Sequence, residues 1–299
     1  MDLVFLVWRE DPATLQRLHE ATARALPEGW AETALLVENG AAPETSRAAR
    51  AALVRHHPMA RRRVLRLARN RGFAAAIDLA LDDLAGRHAL LLNPDGRPGP
   101  GMVERLAAVL DDRRRALWAA PAVHGPGEED HPAGPPYAED ELPGTALMLR
   151  REPFLALGGF DPLFRLYHED FDASRRIRAA GHELLRVPEV RFDHVKDGRS
   201  ARGIARRELW YALSWSAFVH RHEDTHVRAA ARVARSRARS LPAQLRDGNW
   251  PAAAGIAAAT AAWPVMAVLA ERRRRRPWDG TALDAWLRRH RAEVQRSDI

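Results

Sequence analysis

Three carboxylates fall within four residues of the 299-residue chain, at Glu169, Asp170 and Asp172. They open a stretch of helical character that Gly181 ends. A carboxylate at a helix start, beside a cleft, can take the proton of an attacking hydroxyl as a general base. Acids also favour the first turn of a helix because they complement its dipole, so the triplet alone reads as a structural feature too. A further carboxylate, Asp95, stands in Asn93-Pro94-Asp95-Gly96, just after the apolar run 89–93. Ligands of open α/β sheets bind beyond the carboxyl ends of strands. An acid there can hold a divalent cation whose other ligands are phosphate oxygens. The same residues also suit an ordinary β-turn.

The elements that must position these residues alternate along the chain. Residues 3–8, 34–38, 64–67, 89–93 and 117–123 read as buried strands, and 12–25, 73–84 and 102–110 as helices. Strands alternating with helices imply βαβ units and a mostly parallel sheet, an α/β fold. Residues 125–143 are rich in Gly, Pro, Asp and Glu and have no apolar period, the mark of a long functional or disordered loop. Regular structure resumes at 145–149. A helix is expected over 171–180, and short strands over 183–187 and 190–192. No internal repeat is visible.

Four motifs stand in register: Asn70-Arg71-Gly72-Phe73-Ala74-Ala75, Leu90-Leu91-Leu92-Asn93-Pro94-Asp95, Gly158-Gly159-Phe160-Asp161-Pro162-Leu163-Phe164 and Glu169-Asp170-Phe171-Asp172. In this order and at these separations the chain resembles the rhamnosyltransferase-like branch of the family 2 glycosyltransferases, from about residue 3 to 194. The resemblance implies the GT-A nucleotide-sugar-binding fold and an inverting, metal-dependent sugar transfer. Asp170 matches the catalytic base, with Glu169 beside it orienting the acceptor. Asp95 matches the metal-binding acid, and Asn93 stands at the first acidic position of that motif. Asn70, Gly72 and Phe73 match the segment that packs on the nucleotide. His194 matches a histidine that completes the metal shell, although a lone histidine at a strand end is as ordinary. Glu38 replaces the acid that contacts the base or ribose. The resemblance also implies a manganese or magnesium ion, a nucleotide-sugar donor and a glycan or lipid-linked acceptor. The chain departs from the family at Trp8-Arg9-Glu10, at Val37-Glu38-Asn39-Gly40-Ala41-Ala42 and at His194-Val195-Lys196. The first two leave donor identity open, and they keep a non-catalytic nucleotide- or glycan-binding relative as the alternative.

Composition narrows the rest. Hydrophobic residues make up 46% and charged residues 29%, enough apolar surface for a core. With no cysteine, disulfides and thiolate sites are excluded. The net charge of +8 is almost all arginine and concentrates after Arg199, which favours a basic tail over a nucleic-acid-binding domain. The chain divides at 1–200, catalytic, and 201–299, helical and arginine-rich. Residues 250–270 carry no charge and precede Arg272–Arg276. That stretch could span a bilayer by length, but it is rich in alanine, and Pro251 and Pro264 weaken a continuous helix. A helix lying on an anionic membrane surface, pinned by arginines, is expected; a helix packed on the domain is the other reading. The short apolar run at 3–8 is no signal peptide, so the enzyme is expected in the cytoplasm, at the inner face of the membrane. All the motifs lie before Lys196, so a cut near Pro242 is expected to spare the catalytic domain.

Overall fold

The computed structural model describes residues 1–128, 130–195 and 200–299. Apolar runs bounded by polar turns become the inner strands. β1 (Asp2–Val7) leads to α1 (Pro12–Ala25), which starts where the Asp11 carboxylate caps the Thr14 amide and Pro12 fixes the first turn. β2 (Thr33–Asn39), α2 (Pro43–His56), β3 (Arg61–Leu67), α3 (Phe73–Asp82) and β4 (His88–Leu92) continue the alternation. Next come β5 (Gly96–Pro98), α4 (Met102–Asp112), β6 (Ala116–His124), β7 (Tyr137–Ala138), β8 (Ala146–Arg150), α5 (Arg151–Ala156), α6 (Glu169–Ala179) and β9 (Glu183–His194). The chain ends with α7 (Ala201–His222), α8 (His226–Arg246), α9 (Trp250–Arg275), α10 (Gly280–His290) and β10 (Val294–Asp298).

The strands form one sheet in the order β10-β3-β2-β1-β4-β8-β6-β9-β5, with β7 on β9. β3, β2, β1 and β4 are mutually parallel, as are β6 and β9, while β8 runs antiparallel between β4 and β6. Helices cover both faces. One face buries Leu15, Leu18, Leu53, Leu106 and Leu110, and the other Ile77, Leu81, Phe154, Phe160 and Ile177. This is the α/β, Rossmann-like architecture expected of the GT-A fold, with helices on both sides of the sheet.

Four expectations change. The strands expected at 183–187 and 190–192 are one strand, β9, bulged between Val187 and Arg191 where Pro188 lacks a ladder amide. The loop expected over 125–143 holds the short strand β7. The region expected to be helical over 201–299 is not continuous, and breaks at 223–225 between α7 and α8. The region 201–299, expected to be helical, ends in a strand: β10 pairs antiparallel with β3 at the sheet edge. Trp278, Leu283, Leu287 and Val294 lie in the same core as α3 and α5, and the Trp278 indole donates to the Gly158 carbonyl at 2.6 Å.

α7 and α9 pack side by side in the same direction. Gly255 makes this possible, because a Cβ there would meet the Ala205 carbonyl at 2.2 Å. Ala259 sits against Ala212 and Leu213, and Ala270 against Ala217 and Phe218. The outer face of α9 remains apolar and exposed, including Trp250, Val265, Val268 and Leu269. By length and composition α9 is a helix able to cross a membrane. Buried ion pairs fasten these helices to the sheet domain. Asp161 takes Arg221 at 2.8 Å and Arg273 at 3.0 Å, and Asp172 takes Arg176, Arg221 and His222 at 2.9–3.2 Å.

Candidate active site

The first cluster lies at the carboxyl ends of β4 and β9. β5 pairs antiparallel with β9, matching Gly96 to His194, and so sets Asp95 beside the histidine. His194 Nε2 lies 3.1 Å from Asp95 Oδ1, and the Val195 amide donates to the Asp95 carbonyl. On the far side of the ring, His194 Nδ1 lies 2.8 Å from Glu128 Oε1. Burial pulls the imidazole pKa down, but the hydrogen bonds and charges of Asp95 and Glu128 outweigh it and hold it above the ordinary value. Glu10 joins from the end of β1. Its carboxyl is raised chiefly by burial, against backbone amides that lower it, with the Asp95 charge adding to the rise.

Asp95 and His194 are thus brought together, as the sequence implied. They offer one carboxylate oxygen, which suits manganese or magnesium, and one imidazole nitrogen, a donor more usual for transition metals than for magnesium. Glu128 approaches the opposite ring nitrogen and does not converge on the same point. Among the described residues, no three His, Asp or Glu side chains form a cluster able to hold a metal unaided. The pair therefore fits a cation only if further ligands come from a phosphate-bearing substrate.

The second cluster is at the start of α6. Tyr167 and His168 both take left-handed φ, 68° and 64°, immediately before Glu169. Two consecutive non-glycine residues in this region are a strained approach, of the kind found where a site is held in place. The His168 ring packs on Phe171, Tyr211 and Phe218, and burial lowers its pKa to about 4. Asp170 Oδ2 accepts from the Gly144 amide at 2.8 Å and Oδ1 from its neighbour Phe171 at 2.9 Å. Glu169 is buried, and one of its carboxyl oxygens has no partner. Burial raises both carboxyls, and with the Asp170 charge adding to it Glu169 stands well above its ordinary value. Asp170 holds the amide donors that favour an ionised carboxylate, so it is the more readily ionised of the two. Asp172, the third acid of the triplet, is held ionised by Arg176, Arg221 and His222, which outweigh the burial that would raise it. It is structural.

The segment expected from the sequence to face the nucleotide, residues 70–73, lies beside the second cluster. A Cβ built on Gly144 would lie 3.7 Å from Asp170 and 3.9 Å from the Phe73 ring, so Gly144 separates the two. The next residue, Thr145, accepts from the Asn93 amide at 2.9 Å. Asn70 Oδ1 accepts from the Gly72 amide, and Gly72 has a φ of 91° with the Arg165 carbonyl 2.3 Å from where a Cβ would stand. Only glycine suits that turn. Asn39, the last residue of β2, pins the segment. Its side chain accepts from the Arg71 amide at 2.7 Å and donates to the Gly72 carbonyl at 3.1 Å. Glu38 is buried and held by both arms of Arg50, at 2.6 and 3.0 Å. Glu128, Asn39 and Arg50 were not visible as site residues in the sequence. An Asn-Gly pair at a strand end was the one signal for Asn39.

No family model matches the chain. Two curated relatives do, both named N-acetylglucosaminyl-diphospho-decaprenol L-rhamnosyltransferase, from two strains of Mycobacterium tuberculosis. Each is 25% identical over 244 residues, covering 66% of this chain and 74% of the relative. Among solved structures, the fold is similar to a mannosyltransferase of Pyrobaculum calidifontis in complex with GDP-Man and Mn2+ (TM-score 0.58, 16% identity, 98% of this chain and 86% of that one). It is similar also to GalNAc-T7 with UDP, GalNAc and Mn2+ (0.57, 17%, 73% and 50%) and to Staphylococcus aureus TarS 1-349 in complex with UDP (0.53, 13%, 76% and 67%). The chain spans half the length of the GalNAc-T7 chain. The GT-A fold, the glycosyltransferase class and the resemblance to the rhamnosyltransferase-like branch are borne out.

Proposed function

We propose that the chain is a metal-dependent, inverting glycosyltransferase that moves a sugar from a nucleoside-diphosphate sugar to a hydroxyl of a lipid-linked or polysaccharide acceptor. The observation that carries this reading is a pair of carboxylate centres joined through adjacent residues, Asn93 bonding to Thr145 and Gly144 to Asp170. Asp95 touches His194, and Asp170, held by two backbone amides, stands across Gly144 from Phe73. Asp95 and His194 would hold manganese or magnesium, and the ion would neutralise the departing diphosphate. Asn70, Gly72, Phe73 and Asn93 would line the donor, with Glu38 setting the nucleoside end through Arg50. Asp170 would take the acceptor hydroxyl's proton as that oxygen attacks the anomeric carbon, and Glu169 beside it would orient the acceptor by a hydrogen bond. A lipid-linked acceptor accords with the substrate named for the mycobacterial relatives.

Replacement of Asp95 by alanine tests the donor site. Titration of a nucleoside diphosphate with and without manganese should show affinity falling about tenfold or more, and its metal dependence vanishing, since a charge-assisted contact contributes ~1.5–3 kcal/mol. Nucleotide affinity that stays metal-dependent in the variant removes Asp95 from the site.

We also propose that the enzyme works at the inner face of the membrane, with the outer face of α9 in an anionic bilayer. The exposed Trp250, Val265, Val268 and Leu269 supply the apolar contact, and the exposed Arg272 and Arg276 supply charge at one end. Val265→Asp with Val268→Asp should abolish the fraction of protein that floats with phosphatidylglycerol vesicles in high salt. The melting temperature should barely move, because both positions face solvent. Undiminished flotation in high salt would show that α9 does not enter the bilayer.

A further inference from the structure

We propose that Arg9, Arg69, Arg165, Arg202 and Arg206 form a binding site for the diphosphate of the lipid-linked acceptor, separate from the Asp95–His194 pair. The proposal rests on the reading of the acceptor above, and deepens it.

The five side chains come from four segments that the fold gathers. Arg9 follows β1, Arg69 follows β3, Arg165 precedes α6, and Arg202 and Arg206 lie in the first two turns of α7. The Arg9 and Arg206 guanidinium groups lie 4.8 and 4.2 Å from the centre of the Trp8 ring. Arg165 lies 5.2 Å from the ring of Trp210, one turn beyond Arg206, and donates to the backbone and side-chain oxygens of Asn70, the neighbour of Arg69. Trp8 and Trp210 thus serve as plates against which the cations are arrayed.

Among the described residues, no carboxylate pairs with any of the five. The nearby Arg71 is already taken by Glu293, and Arg207 by Glu208. Glu10 turns its carboxylate to the Trp8 amide. The cations crowd one another: burial first, then the neighbouring Arg206, Arg69 and Arg71, lower Arg165, and burial, Arg9 and Arg202 lower Arg206. The placement on α7 is equally unfavourable for stability. The first turn of a helix favours acids, yet α7 carries none there and presents Arg202, with Arg206 one turn on. Like charges held together against the helix dipole call for an anion. Arginine forks match phosphate oxygens, and two adjoining phosphoryl groups can engage several forks at once.

The position favours the acceptor over the donor. The diphosphate of the donor has Asp95 and His194. The start of α7 instead lies against the start of α9, with Gly255 packed on Ala205, and Trp250 is exposed at that end. A headgroup carried on a lipid in the bilayer that α9 contacts would arrive there.

The test compares full-length wild type with Arg202→Gln/Arg206→Gln, using farnesyl diphosphate, inorganic pyrophosphate and uridine diphosphate as probes in calorimetry. With EDTA present, wild type should bind farnesyl diphosphate, and pyrophosphate should compete. The double variant should lose about tenfold or more of that affinity, since each arginine contact to an anion is a charge-assisted bond. Arg202→Lys/Arg206→Lys, which keeps the charge, should retain part of it. The single Arg202→Gln variant, at an exposed position, should show a smaller loss and covers the case in which the double variant misfolds. Uridine diphosphate binding with manganese should change less than about twofold. Farnesyl diphosphate affinity that is equal in all variants, or that pyrophosphate does not contest, overturns the site. A fall confined to uridine diphosphate overturns the acceptor assignment. Because the first arm is run without metal, failure of the donor reading shows separately, in Asp95→Ala.

Discussion

Asp170→Asn is expected to reduce sugar transfer by ~10²–10⁴-fold, the usual contribution of a positioned general base, while nucleotide binding changes little. The amide keeps the shape of the side chain but cannot accept a proton from the acceptor hydroxyl. It also has one acceptor oxygen where the carboxylate offered two, to the amides of Gly144 and Phe171. The amide nitrogen must then face a backbone N–H, a local cost of ~1–3 kcal/mol. A small fall in melting temperature is therefore expected, and nucleotide affinity is the control showing that the site persists. The pH profile carries a second signature. Burial raises Asp170, and a base works only when ionised, so the wild-type rate should rise with pH through a pKa above that of an ordinary aspartate. In the variant this limb should disappear. Glu169 adds a stability effect of known sign. Its folded pKa is raised, so its contribution is present at low pH and is lost as pH rises through that raised value. A variant that transfers sugar at the wild-type rate would move the base elsewhere. Asp172 is then a poor candidate, since Arg176, Arg221 and His222 already hold it, which leaves Glu169.

The inner strands were legible because they are apolar on both faces. β1, β2, β4 and β6 are continuous hydrophobic runs, and no other element type fits runs so short. α2 escaped notice because its buried side is thin, made of Thr45, Ala49, Ala52 and Leu53 amid arginines. β10 escaped because Val294-Gln295-Arg296-Ser297-Asp298 is an edge strand with one buried residue, whose sequence carries no apolar alternation. In the candidate site, residues within a motif can be proposed from the sequence because neighbouring residues carry the pattern. Asp95, Glu169 and Asp170 are of this kind. Glu128 and Arg50 act across 66 and 12 positions of sequence, and only the fold reveals their partners. The arginines of the proposed diphosphate site were hidden for a further reason. In a chain with so many arginines, five more are unremarkable until the fold gathers them around Trp8, Trp210 and Asn70 with no carboxylate paired to them. The pairing of Asp95 with His194 went the other way: the resemblance implied it, and the β5–β9 register brings it about.

Ending the chain at Pro277 is expected to destabilise the sheet domain severely, and this replaces the expectation that a cut near Pro242 spares it. Residues 278–299 contribute Trp278, Leu283, Leu287 and Val294 to the core shared with α3 and α5. Fully burying a large apolar side chain is worth ~1.5–3 kcal/mol, so these side chains together rival the ~5–15 kcal/mol of a typical domain. Their loss also uncovers β3, whose Val64 and Leu65 pair with Ser297 and Arg296, and leaves its edge open to other chains. A cut at Pro242 removes more, since it also takes α9 and the Arg273–Asp161 pair, leaving a fully buried aspartate with Arg221 alone. The milder variant Trp278→Ala isolates one part of this. It should cost ~3–5 kcal/mol, from the cavity and from the lost bond to the Gly158 carbonyl. Urea unfolding of wild type, Trp278→Ala and the shortened chain should show midpoints falling in that order, with the shortened chain aggregating or unfolded without denaturant. Membrane binding must accordingly be tested by point substitutions on α9, because a truncation would report loss of the fold. A shortened chain that unfolds at the wild-type midpoint and still binds nucleotide would show that the sheet and its site are complete without the returning strand.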